Sequence, residues 1–380
     1  MIRKIQYIPL IFMIGLFLIA VSCTDDNKFI SENNYPPDID QYEFLRFSGG
    51  QEIVSPDQVV HADNNWEILL SCLEAKTKKE LKKENIKFTD SQLMLLQAMR
   101  FIDCDDETIK TTLPILGAKE KQFLIPYLRQ LAQDMTPLLS DDILQLKEIL
   151  ISQGFPEHVF SMIFSGVVDG MVWFPFRAQG WISEFALSEK RPLFDGVYWA
   201  YTPKRDFRGG SNIAIGEKTL VVLNWSDGPQ EKIQKIFHWE NLYSLQEQLD
   251  QHGLIVEQDL IDQLLPYRVV DEEGRMTVPV IEMKRDDPLF QICQSMVANI
   301  VGFMNQNLDL EALQKEYSLP DKEAAFVVTY HEWMWEFMEY ITEIGLIDKP
   351  LAFEQPELAE KKDIGKLLFV IKGSISSLEP

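Results

Sequence analysis

The segment His331-Glu332-Trp333-Met334-Trp335-Glu336 begins like the H-E-x-x-H pattern, in which two imidazoles four residues apart hold a zinc ion on one face of a helix. Position 335 is Trp, so the second ligand is missing and no metal or cofactor is expected. Glu332 and Glu336 share a helix face, with His331 about 100° away around the axis. The spacing therefore reads as a solvated acidic stripe with a flanking histidine.

A second constellation lies between Trp173 and Phe207, which holds Trp173, Phe174, Phe176, Trp181, Phe185, Phe194, Tyr198, Trp199, Tyr201 and Phe207. Through Arg208, six basic residues (Arg177, Lys190, Arg191, Lys204, Arg205 and Arg208) outnumber four acids (Glu184, Glu189, Asp195 and Asp206). Flat aromatic faces beside fixed polar groups suit a binding cleft, and aromatics and Arg are favoured at contact hot spots. Trp181, Trp199, Tyr201, Arg205, Phe207 and Arg208 are the candidate ligand-binding residues. The competing reading is that these aromatics fill the core where two lobes meet, and that the basic loop pairs with nearby acids.

A third set is scattered: His61, His158, His238 and His252, with Asp169. No serine, cysteine or metal constellation can be assembled from their spacing. There is no G-x-S-x-G, P-loop or dinucleotide fingerprint. Triads assemble from distant positions, so a hydrolase acting outside the cytoplasm stays open as the alternative to a binding protein.

The chain has 380 residues, 46% hydrophobic and 25% charged, enough to bury a sizeable core. Its formal charge is −23. Such acidity excludes nucleic acid, whose phosphates need Lys and Arg, and argues against adsorption to anionic headgroups. The four cysteines (Cys23, Cys72, Cys104 and Cys293) include no C-x-x-C pair, and the last three read as buried apolar residues.

Residues 1–22 place Arg3 and Lys4 before an apolar run from Ile8 to Val21, with small Ser22 ahead of Cys23. That is the layout of a secretory signal, and the run is short of the ~20 residues needed to span a bilayer. Ile19-Ala20-Val21-Ser22-Cys23 resembles the lipobox of bacterial lipoproteins. The resemblance implies cleavage before Cys23, lipid on its thiol and new amino group, and anchoring in the cell envelope. Thr24-Asp25-Asp26 is similar to the surface-export signal of Bacteroidetes lipoproteins, which implies an outer-membrane, surface-exposed location. Residues 23–44 read as the lipidated cysteine and a flexible polar tether.

The remaining chain must position any site. Helical periodicity runs through residues 45–165, with starts at Thr89-Asp90 and Ser140-Asp141-Asp142 and a stop at Gly154. Residues 166–380 are mixed. Val197–Tyr201 and Thr219–Leu223 read as strands with a Gly209-Gly210 turn between them. Asp271-Glu272-Glu273-Gly274 reads as the turn of a hairpin reaching Ile281. Helices are expected over 229–251, 259–265 and 322–344, the last capped by Gly345 with Glu332, Glu336, Glu339 and Glu343 on a polar face. The fold class is α+β: mainly helical, with a helical N-terminal lobe and a mixed C-terminal lobe containing a few short antiparallel strands. The expected function is a membrane-anchored envelope lipoprotein that binds a small molecule, a glycan or an envelope protein.

Overall fold

The computed structural model describes residues 34–105, 107–204, 209–226 and 239–373; from Tyr35 onward the chain forms one contact unit. Cys23, Arg205, Phe207, Arg208 and His238 lie outside the described residues.

Packing starts early. Tyr42 is buried, and Tyr35 and Ile39 lean on the same apolar cluster, so the last part of the segment expected as tether belongs to the body. Strand β1 (Glu43–Phe47), α1 (Pro56–His61) and α2 (Asn65–Ser71) follow. The two-residue β2 (Lys76–Thr77) leads into α3 (Lys78–Lys83), and then α4 (Asp90–Ala98). Thr77 and Thr89 open these two helices alike. Each hydroxyl accepts from the third helical N–H, while Glu80 or Gln92 accepts from the threonine's own N–H.

Strands β3 (Ile102–Cys104) and β4 (Thr108–Thr111) join β2 in an antiparallel sheet of order β2-β4-β3. The lobe expected as helical thus carries a small sheet beside its helices. Thr108-Ile109-Lys110-Thr111 carries β-branched residues at alternate depth, with Ile109 fully buried, which suits a strand better than a helix.

After β5 (Ile115–Leu116), α5 (Ala118–Ser152) is one helix of 35 residues. The start signal at Ser140 does not divide it. The buried stripe from Leu124 to Leu150 is continuous, and the Ser140 hydroxyl donates back to the Thr136 carbonyl at 2.8 Å instead of capping a new helix. Gly154 ends the run at φ 86°.

The short α6 (Val159–Ser161) continues into a π-helix, Met162–Met171, followed by α7 (Trp173–Ala178). Among the described residues, Pro156–Ala178 is long and apolar enough to cross a membrane, with mean hydropathy 1.5, yet 83% of that window is buried inside the body.

Strands β6 (Val197–Tyr201), β7 (Gly209–Ile215) and β8 (Thr219–Ser226) precede α8 (Trp239–His252) and α9 (Gln258–Leu264). Strand β9 (Val280–Glu282), α10 (Pro288–Asn307), α11 (Leu310–Glu316) and α12 (Lys322–Glu343) come next. Last are α13 (Leu351–Glu354), α14 (Lys361–Gly365) and β10 (Leu368–Lys372).

The larger sheet has the order β7-β8-β10-β9, with only β9 and β10 parallel. Gly209 and Gly210 are not a turn; they begin β7 opposite Ser226 and Trp225. A Cβ at Gly210 would meet the Trp225 ring at 2.9 Å, so the glycine serves close packing. The turn at Asp271–Gly274 does form, with Gly274 at φ 75° and a single Val270–Met276 bridge. Val280–Glu282 then leaves it to pair with β10, so the expected hairpin does not extend into a two-stranded unit.

The α+β, mainly helical class holds. Two apolar clusters make the core. The smaller gathers residues between Tyr42 and Ile115 with Phe194, Tyr198 and Ala200; the larger runs from Leu116 to Ile371. The boundary between the two clusters falls near β5, because α5 packs along α10 and α12. Strand β6 is the partition: Val197, Trp199 and Tyr201 face the larger cluster while Tyr198 and Ala200 face the smaller.

Candidate functional site

Two places in the body gather groups that could act on a ligand. The first is a cleft of about 530 Å³ where three helix ends meet. Its walls are Gly180–Ser183 after α7, Gln306–Glu311 between α10 and α11, and Lys322 and Glu323 at the start of α12. Gly180, at φ 75°, turns the chain out of α7 and donates to the Arg177 carbonyl at 2.8 Å, which sets Trp181 at the rim. The indole is half-buried. Phe176 stacks on it at 5.4 Å and the Phe326 edge meets it at 4.7 Å, so the ring is held rigidly.

The cleft's charges are mostly matched within the protein. Glu323 pairs with Arg191 and accepts from the Ser183 N–H and hydroxyl, each at 2.9 Å. Glu311 and Lys322 pair at 2.6 Å, which ties α11 to α12. Asp309 caps α11 by accepting from the Ala312 N–H at 3.0 Å. What is left is an aromatic plane beside the amides of Gln306 and Asn307, and among the described lining residues the cation, Lys322, is already paired.

The second place is deeper. Asp169 stands in the π-helix at φ −112°, ψ 18°, off helical values. Gly170 follows it, and a Cβ there would lie 2.1 Å from the Ser165 carbonyl oxygen, so only glycine permits this bend. Trp173 Nε1 donates to Asp169 Oδ1 at 3.3 Å, and the Ser211 side chain from β7 also bonds the carboxyl. The Ser165 hydroxyl bonds both Ser211 and Asn224. Burial raises the Asp169 pKa to about 7, against the opposing effect of its Ser211 and Trp173 bonds.

His331 faces this carboxyl from α12, with Nε2 at 4.0 Å from Asp169 Oδ1. Its Nδ1 donates to the Val327 carbonyl at 2.7 Å, which places the proton there and leaves Nε2 turned toward the acid in the neutral ring. Trp173, Phe47 and Trp199 surround the imidazole at 5.2, 5.2 and 5.1 Å. The His331 and Asp169 side chains keep 12% and 11% exposure, so a sliver of each reaches solvent.

The acidic stripe expected on α12 is solvated only toward its C-terminal end, where Glu339 and Glu343 are exposed. Glu332 is 2% exposed and Thr329 is buried, because α12 lies between α5 on one side and β6 with the π-helix on the other. Of the candidate residues, Trp181 lines the cleft. Trp199 and Tyr201 have no exposed surface, and Trp199 reaches the deeper site only through its contact with His331. His158 is buried and separate; burial pushes its pKa down to about 4, with Glu157 opposing. The pairing of Asp169 with His331 escaped the sequence. Its one signal was a single acid in the otherwise uncharged run from Val159 to Phe176. Among the described residues, no three His, Cys, Asp or Glu side chains gather as a metal would require.

Comparison of this chain with protein-family models, with characterised proteins and with solved structures finds no match.

Proposed function

We propose that the protein is a lipid-anchored envelope protein that holds a small, uncharged polar ligand, of the sugar type, against Trp181. The observation that carries this is the cleft: a rigid indole beside the Gln306 and Asn307 amides, with its carboxylates already engaged by Arg191, Ser183, Lys322 and a helix N–H. A polyhydroxylated ring stacks on an aromatic face and exchanges hydrogen bonds with amides and hydroxyls, whereas an anion finds only paired charge. Anchoring rests on the lipobox-like residues Ile19–Cys23. The test of binding is thermal melting across neutral oligosaccharides and peptidoglycan fragments. A ligand at 100 times its Kd adds about 2.7 kcal/mol, and the shift should vanish in Trp181→Ala. A flat panel in the wild type overturns the reading. The test of anchoring is the mass of the N-terminal peptide from membrane-extracted protein, which should show acylated Cys23.

A second reading, a hydrolase outside the cytoplasm, is favoured by one observation: the His331–Asp169 acid–base pair retains solvent access. Its carboxyl touches Ser211 directly, so the order is serine–acid–histidine in place of the acid–histidine–serine order of a triad.

A further inference from the structure

The net charge of −23 hides one basic surface. Between residues 76 and 87 stand six lysines (76, 78, 79, 82, 83 and 87) and two acids, Glu80 and Glu84. Both acids keep their charge: Glu80 is folded back onto the Thr77 N–H and hydroxyl, both at 2.8 Å, which favours its ionised form, and Glu84 pairs with Lys76 at 2.6 Å, so the stretch nets four positive charges. At the neighbouring turn Asp105 is likewise bent onto the N–H groups of Glu107 and Thr108. Lys78 meets Asp90 at 3.7 Å. Lys79, Lys82, Lys83 and Lys87 are exposed and have no acid within 4.0 Å among the described residues. The fully buried Leu81 pins α3 to the body. The helical repeat then turns Lys79 and Lys83 to the side opposite Leu81, one turn apart.

We infer that this α3 face docks on the anionic headgroups of the membrane that holds the anchor. The inference rests on the reading of Cys23 as lipidated. The described body begins at Asn34, eleven residues after Cys23, and at most ~3.6 Å per residue those span about 40 Å. Leu81 belongs to the same apolar cluster on which Tyr35 and Ile39 lean, so the lysine face and the point where the chain enters the body share one subdomain. Charge beyond a Debye length of about 8 Å is screened, so these lysines act on headgroups largely free of the distant acids. With lipid on both the thiol and the amino group the anchor already holds the chain, and the basic patch adds a second contact that sets which face of the body meets the membrane.

The test uses the unlipidated chain from Thr24 onward, since residues from Tyr35 form one contact unit. It is sedimented with vesicles of phosphatidylcholine alone and with vesicles containing a third phosphatidylglycerol. Each lysine at an anionic surface contributes about a five-fold gain in partitioning. The expected result is at least a tenfold preference for the anionic vesicles at low salt, abolished in Lys79→Glu/Lys83→Glu and retained in the charge-matched Lys190→Glu/Lys315→Glu. Equal partitioning into both vesicles, or equal loss in both double variants, overturns the proposal. A failure here leaves acylation of Cys23 untouched, because the peptide mass decides that separately.

Discussion

Asp169 Oδ1 and His331 Nε2 face each other at 4.0 Å, one from a break in a π-helix and the other from the middle of α12. Burial raises the acid's pKa to about 7, which makes stability depend on pH in an uncommon direction for a carboxyl. Below pH 4 both folded and unfolded chains hold the proton. As pH rises from about 4 to 7 the unfolded chain releases it and the folded chain does not, so stability is lost over that window. At 1.36 kcal/mol per pKa unit, the loss between pH 5 and 8 is about 2–3 kcal/mol. Asp169→Asn removes it, so chemical denaturation should show the variant gaining on the wild type by that amount across the same range. A difference independent of pH would mean that Asp169 ionises as an ordinary surface acid.

His158 works in the opposite sense. Its pKa of about 4 lies below the ordinary 6.5, so the unfolded chain takes up a proton first as pH falls. The neutral buried ring contributes stability that is fully present above pH 6.5 and is lost toward pH 4. Between pH 7 and 5 the loss is about 2 kcal/mol, and His158→Gln should flatten it. An NMR titration placing this imidazole near 6.5 would refute the assignment.

Glu323, on the wall of the Trp181 cleft, pairs with Arg191 behind it, whose Nη1 also donates to the Asp195 carbonyl at 3.0 Å. Both partners are largely enclosed, so removing one strands the other in poor solvent. Glu323→Gln should cost about 3–5 kcal/mol, and Arg191→Met with Glu323→Leu should recover most of it. If the single variant melts like the wild type, the pair is solvated in solution.

What could be read from the chain follows from the range of the forces involved. The extent of α12 and the Gly345 cap were legible, because helical spacing and a left-handed glycine are local signals. The helix start at Thr89-Asp90 was legible for the same reason. Long-range pairing was not. Nothing in Val280–Glu282 announces β10 as its partner, and Gly209-Gly210 carries the same letters whether it turns or lies flat against Trp225. The polar face of α12 held at Glu339 and Glu343 and misled at Glu332, which is buried because the helix is gripped on both sides there. Of the proposed ligand contacts, Trp181 alone lies at a cleft within the described residues, and Asp169 was grouped with the wrong histidines.

Trp181 and Trp199 separate binding from folding. Trp199 is fully enclosed on β6, packed against His331 and opposite Leu45 of β1. Truncating it to Ala opens a cavity at the face of the larger cluster and should cost about 3–5 kcal/mol, read as a lower denaturation midpoint with an unchanged slope. Trp181 is half-buried at the cleft rim, so Ala there should cost less, on the order of 1–2 kcal/mol, while removing the ligand's stacking surface. The two variants should therefore divide: Trp199→Ala loses stability but, below its melting point, still shows the ligand-induced shift, and Trp181→Ala keeps most stability and loses the shift. The reverse pattern would move the binding surface from the cleft to the neighbourhood of His331.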